Sequence, residues 1–125
     1  MNKVMLIGRL TKDAELRYTQ SGTAVASFTV AVDRQYKKGE ERQADFINCI
    51  AWQKTAEFVS QYFKKGSKIA LEGRLQVRSY DAQDGHKRWA TEVVVEQVEF
   101  VDSKAKNENT DSYEVSFDDD ELPFN

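Results

Sequence analysis

Cysteine, histidine and proline each occur once in these 125 residues. A single cysteine, Cys49, allows no internal disulfide, which fits a reducing compartment, and a cytoplasmic location is expected. One cysteine and one histidine, His86, cannot form a His/Cys metal cluster, so neither metal nor cofactor is expected. No apolar run approaches the ~18 residues of a membrane helix. At the N-terminus charge returns at Arg9, too early for a signal-peptide core with its small-residue cleavage site. The GxxxxGKS/T loop, the GxSxG elbow and the HExxH pair are all missing, and the chain is read as not an enzyme.

What is present describes one domain with an appendage. Hydrophobic residues make up 40% and charged residues 31%, enough for a core under a soluble surface. A net charge of −3 argues at first against a nucleic-acid partner. Location reverses that argument. Residues 1–101 hold 16 basic and 13 acidic side chains, a net of +3, whereas residues 102–125 hold 2 basic and 8 acidic, a net of −6. Eleven of the 14 aromatic residues also precede this cut. The remainder, DSKAKNENTDSYEVSFDDDELPFN, is too polar to offset its ordering entropy by burial, and it is expected to be a disordered acidic tail. The expected organisation is a globular domain over 1–101, a short linker over 102–117 and an acidic tip over 118–125. Acidic C-terminal tails serve as interaction elements, although many only confer solubility.

Within the domain, residues 3–10 contain a continuous apolar run, Val4 to Ile7. Such a run suggests a strand covered on both faces, by the core and by another subunit. Residues 14–18 read as a short continuation, and residues 23–34 and 44–52 as two further strands. Between 55 and 65 the period changes: Ala56, Val59 and Phe63 recur at helical spacing, with Thr55 as cap and Gly66 as left-handed stop. Residues 67–80 alternate strictly, Asp84-Gly85 signals a two-residue hairpin, and residues 87–101 return as the last strand. That strand changes parity near Glu96-Gln97, which implies a bulge or burial of both faces. Five strands with a helix between the third and fourth describe an all-β fold, the five-stranded OB barrel.

One face of this pattern collects unusual residues. The polar parity of residues 67–80 carries Lys68, Arg74, Arg78 and Tyr80. In residues 44–52, Phe46, Asn48, Ile50 and Trp52 share one parity, while Ile47, Cys49 and Ala51 on the other suit a core. Tyr36 sits at the base of a loop bearing Lys37, Lys38 and Arg42. Rings that stack on exposed bases, beside cations that follow phosphates, are what a single strand requires. An aromatic on a strand is nevertheless more often core than platform, so the residues alone leave both readings open. Trp89 shares parity with Val93 and Val95 and is read as core. Cys49 is read as inert filling and His86 as solvated.

The segments VMLIGRLTKDAELRYTQSGTAVASFTVAVDR and FKKGSKIALEGRLQVRSY, with the ending DDDELPF, resemble the bacterial and bacteriophage-encoded single-stranded DNA-binding proteins. The resemblance runs from Met1 to about Val101 and resumes at the last eight residues. It implies an OB-fold domain assembled as a homotetramer, with single strands wrapped over its surface in replication, recombination and repair. It places base stacking on Tyr36, Phe46, Trp52 and Tyr80, several of which are more often tryptophan in that family. Phosphate contacts are expected from Lys37, Lys38, Arg42, Lys68, Arg74 and Arg78. The tip formed by Asp118, Asp119, Asp120, Glu121, Leu122, Pro123 and Phe124 is expected to recruit partner enzymes, charge steering the encounter and Phe124 anchoring it. Two departures stand out: the linker lacks Gly/Pro/Gln richness, and Asn125 follows the phenylalanine on which the family tip usually ends.

Overall fold

The computed structural model describes residues 1–101; the expected linker and acidic tip lie outside the described residues. The elements are β1 (Val4–Leu10), β2 (Glu15–Tyr18), β3 (Ala24–Asp33), β4 (Ala44–Trp52), α1 (Gln53–Tyr62), β5 (Lys68–Asp81) and β6 (Lys87–Phe100). The sheet runs β1-β5-β6-β4-β3-β2, and pairing of Arg9 and Leu10 in β1 with Ala31 and Val30 in β3 closes five strands into a ring. β2 continues β1 along the far end of β3, with Leu16 opposite Ala26. This is the OB barrel expected from the sequence, with its helix between β4 and β5.

Alternation puts Leu10, Phe28, Val30, Ile69 and Val93 inside the barrel, and α1 adds Ala56, Val59 and, just beyond its end, Phe63. β1 has only one face filled: Met5 and Ile7, on the other, are 75% and 57% exposed in the single chain. The parity change in β6 has the expected cause. Glu72 pairs with Gln97 but Gly73 pairs with Val95, so Glu96 is the extra residue of a bulge. Gly73 is obligatory there, because a Cβ would overlap the carbonyl oxygen of Val94. Val93, Val94 and Val95 are also all buried, so bulge and two-sided burial coexist.

The helix departs from expectation at both ends. It starts at Gln53, the Trp52 position supplies no side-chain cap, and Thr55 lies within the first turn. Gln53 takes φ +59, which reverses the chain from strand to helix in one residue. At the other end α1 stops at Tyr62, which lets Phe63 leave the helix and bury its ring at 1% exposure. Gly66 is left-handed as expected, but it serves the following turn, where the Ser67 amide donates to the Lys64 carbonyl. The last hairpin is also longer than expected. The Ala82 amide donates to His86 and the Gly85 amide to Ala82, enclosing a three-residue loop with Gly85 at its left-handed position.

Candidate nucleic-acid interface

Strand register determines which side chains share a surface. In β3 and β4, Ala31 lies opposite Phe46, Thr29 opposite Asn48, Ser27 opposite Ile50 and Val25 opposite Trp52. Ile50 then neighbours Val94 in the parallel β4–β6 pair. Across β6 and β5, Val94 faces Arg74, Glu92 faces Gln76, Ala90 faces Arg78 and Arg88 faces Tyr80. Directly paired residues project to the same side of a sheet. Phe46, Asn48 and Trp52 therefore share one outer surface with Arg74, Arg78 and Tyr80, although these groups are far apart in sequence.

The rings on this surface are open. Phe46 is 68% exposed, Trp52 43% and Tyr80 44%. Between them Thr29 donates from Oγ1 to Asn48 Oδ1 at 3.2 Å, making a polar strip along the floor. A groove of about 610 Å³ runs over that strip, walled by Lys12 and Asp13 on one side and by Arg78 and Glu92 on the other. Arg78 also lies over the Tyr80 ring, 5.7 Å from its centroid. The β4 parity of Phe46 and Trp52 is thus an open face and its reverse a core: Cys49 and Ala51 are buried beneath it. Burial pushes the Cys49 thiol up to about 12, so it is a poor nucleophile.

Tyr36 stands on the loop between β3 and β4, and Arg42 holds it twice. Arg42 Nη2 donates to the Tyr36 hydroxyl at 2.7 Å, and its guanidinium lies 4.8 Å from the ring centroid. Arg34 ties the base of the loop to Asp45 at 2.7 Å; that bond and charge raise its already high pKa. Glu40 Oε1 accepts the Lys37 amide, leaving the Lys37 and Lys38 side chains on an exposed turn. At the tip of the β5–β6 hairpin the Asp84 carboxyl is held below its usual range, first by the His86 amide and then by Arg88.

One expected contact lies apart from the rest, and one reading needs correction. Lys68 shares the parity of Arg74 and Arg78 but not their location: it opens β5 opposite Arg9 of β1, twelve residues and up to ~40 Å of extended strand from Tyr80. Trp89 is not core but 65% exposed, with Val77 at 59% and Leu75 at 44% on the same side. β5 and β6 extend past the barrel as a two-stranded arm, so their inward parity there meets no opposing layer. Asn2 fastens the root of that arm, Nδ2 donating to the Leu75 carbonyl and Oδ1 accepting its amide, both at 2.8 Å. Sequence reasoning passed over Glu92.

The sequence model described as the single-strand binding protein family matches residues 1–101. Among curated relatives, the Single-stranded DNA-binding protein 3 of Clostridium acetobutylicum is 53% identical over 111 residues, covering 88% of this chain and 77% of that protein. The Single-stranded DNA-binding protein of Bacillus cereus is 53% identical over 105 residues, 83% of this chain and 62% of its own length. The Single-stranded DNA-binding protein 1 of Streptococcus pyogenes is 46% identical over 129 aligned positions, 99% of each chain.

Proposed function

Because this chain belongs to the single-strand binding protein family, we propose that it coats single-stranded DNA without reading its sequence. The observation that supports this most directly is the single outer surface joining Phe46 and Trp52 on β4 to Arg74, Arg78 and Tyr80 on the arm. Rings stack on any base, at ~1–3 kcal/mol each, and cations follow the backbone irrespective of sequence. Tyr36, held by Arg42 and flanked by Lys37 and Lys38, extends the track onto the β3–β4 loop. Lys68 belongs to it only if the strand passes round to the β1 side of the barrel.

The same reading assigns the open β1 face, with Met5 and Ile7, to a second copy within a homotetramer. The tip Asp118–Phe124 recruits replication, recombination and repair enzymes, its carboxylates steering and Phe124 anchoring. The protein works in the cytoplasm, at the nucleoid, without catalysing a reaction.

Titration with oligo(dT), followed by Trp52 and Trp89 fluorescence, tests the binding. Quenching is expected, with log affinity falling against log salt by about 0.7 per phosphate contacted. Salt-independent binding, or equal affinity for duplex, refutes it. Light scattering on the same samples should give a tetramer mass; a monomer mass removes the assembly. Deleting residues 118–125 should leave oligo(dT) binding intact or tighter, since an acidic tail competes with phosphate for cations.

A further inference from the structure

Glu92 is the one buried charged side chain among the described residues. Burying a carboxylate is costly unless it is paired and hydrogen-bonded. Its partners point to what it does. Arg78 Nε donates to Glu92 Oε1 at 2.6 Å, and Gln76 Nε2 approaches the same oxygen at 3.5 Å. Gln76 Oε1 accepts in turn from Arg74 Nη1 at 3.4 Å. Three successive outward side chains of β5 thus converge, directly or through one link, on a single acceptor across the ribbon. The Arg78 side chain remains 52% exposed while that of Glu92 is 9% exposed, so the carboxylate sits behind the guanidinium rather than in front of it. Because the bond uses Nε, the terminal nitrogens of Arg78 have no partner among the described residues and stand at the groove wall, where a planar fork matches a phosphate.

We propose that Glu92 is a positioning residue for the strand-binding groove, fixing Arg78 directly, and Arg74 through Gln76, in the orientation that meets the backbone of a single strand. The inference rests on the single-strand reading and adds a role to a residue of the wrong charge for it. A free arginine on a projecting ribbon loses rotamer freedom when it binds; one already held by Glu92 does not. Electrostatics alone gives the opposite expectation, since removing a negative charge from a phosphate-facing surface should tighten binding.

Oligo(dT) titrations of the full chain separate the two. Glu92→Ala should weaken binding about three- to tenfold, the range set by immobilising one long side chain. Glu92→Gln, whose carbonyl still accepts from Nε, should keep most of the affinity. In an Arg78→Ala background the loss on Glu92→Ala should shrink to the part carried through Gln76 and Arg74, or reverse, because an unshielded carboxylate then faces the strand. The Arg78 Nε–H resonance, read by nitrogen-15 NMR in the free protein, should be protected from exchange in wild type and Glu92→Gln and unprotected in Glu92→Ala. Tighter binding by Glu92→Ala overturns the proposal, and so does an equal loss with and without Arg78. If Glu92→Ala does not fold, Glu92→Gln decides: retained affinity with a protected Nε–H supports the role, and a gain with an unprotected one overturns it. Wild-type protein that ignores oligo(dT) overturns the single-strand reading and this role with it. Wild-type binding beside an indifferent, folded Glu92→Ala overturns the role alone.

Discussion

Replacing Phe46 with alanine removes a ring that is 68% exposed, so only about a third of its surface contributes to the fold. Fully burying such a side chain is worth about 1.5–3 kcal/mol, which puts the folding loss at about 0.5–1 kcal/mol. If a base stacks on the ring, the binding loss is about 1–3 kcal/mol, or roughly 5- to 150-fold in affinity. Phe63 makes the matched control. It is 1% exposed at the end of α1, and its truncation should cost about 3–5 kcal/mol of stability. Both variants retain Trp52 and Trp89, so one fluorescence titration with oligo(dT) and one thermal melt by circular dichroism serve for each. Phe46→Ala should lose affinity while melting within a few degrees of wild type. An affinity within twofold of wild type, or a melting point that falls as far as that of Phe63→Ala, would refute the assignment of this face.

Gly73→Ala sets a Cβ against the Val94 carbonyl oxygen opposite the bulge, and backbone cannot yield cheaply. A lower denaturation midpoint is expected, by about 1–3 kcal/mol, and an unchanged midpoint contradicts the packing. Asn2→Ala removes both side-chain bonds to the Leu75 backbone, and about 0.5–1.5 kcal/mol each bounds the loss; faster amide exchange at the arm root should report it. Cys49 holds its proton more tightly folded, to about 12, than unfolded, where thiols titrate near 8.5. Its contribution is fully present below the unfolded value and declines as pH rises toward 12, because the unfolded chain sheds the proton first. Guanidinium unfolding between pH 8 and 11 should show a steeper loss for wild type than for Cys49→Ala; parallel curves would refute the burial effect.

The barrel was legible because its strands are short, alternating and punctuated. The parity change between Val95 and Val98 pointed to a bulge near Glu96-Gln97 or to burial of both faces, and both are present. Helix ends were less so: Thr55 has the chemistry of a cap, but the reversal is made at Gln53 by a left-handed residue that no propensity marks. Parity put Phe46 and Trp52 on the outward face of β4, opposite Cys49 and Ala51, and they are exposed there because β4 lies within the ring. It misassigned Trp89 for the converse reason, since inward parity means burial only where a second layer exists. Lys68 lies apart from Arg74 and Arg78 for a related reason, because one strand of a curled sheet visits two sides of the molecule. Glu92 was passed over because a carboxylate among valines has no local signal for what lies across the strand.

The arm divides the chain into two regimes of tolerated change. Inside the closed ring a substitution is judged by whether the protein still folds, and Val30 or Ile69 has few alternatives. On the ribbon beyond it, Arg74, Val77, Tyr80 and Trp89 contact little of the core, so exchange there alters the outer surface while the barrel remains intact. Surface substitutions of that kind usually move stability by less than about 0.5 kcal/mol. If the ribbon meets a strand as proposed, descendants of such a chain can drift in how they grip it without first acquiring a stabilising change elsewhere. A library randomised along the ribbon should yield mostly well-expressed, foldable members that differ in binding, a practical starting point for retuning the grip.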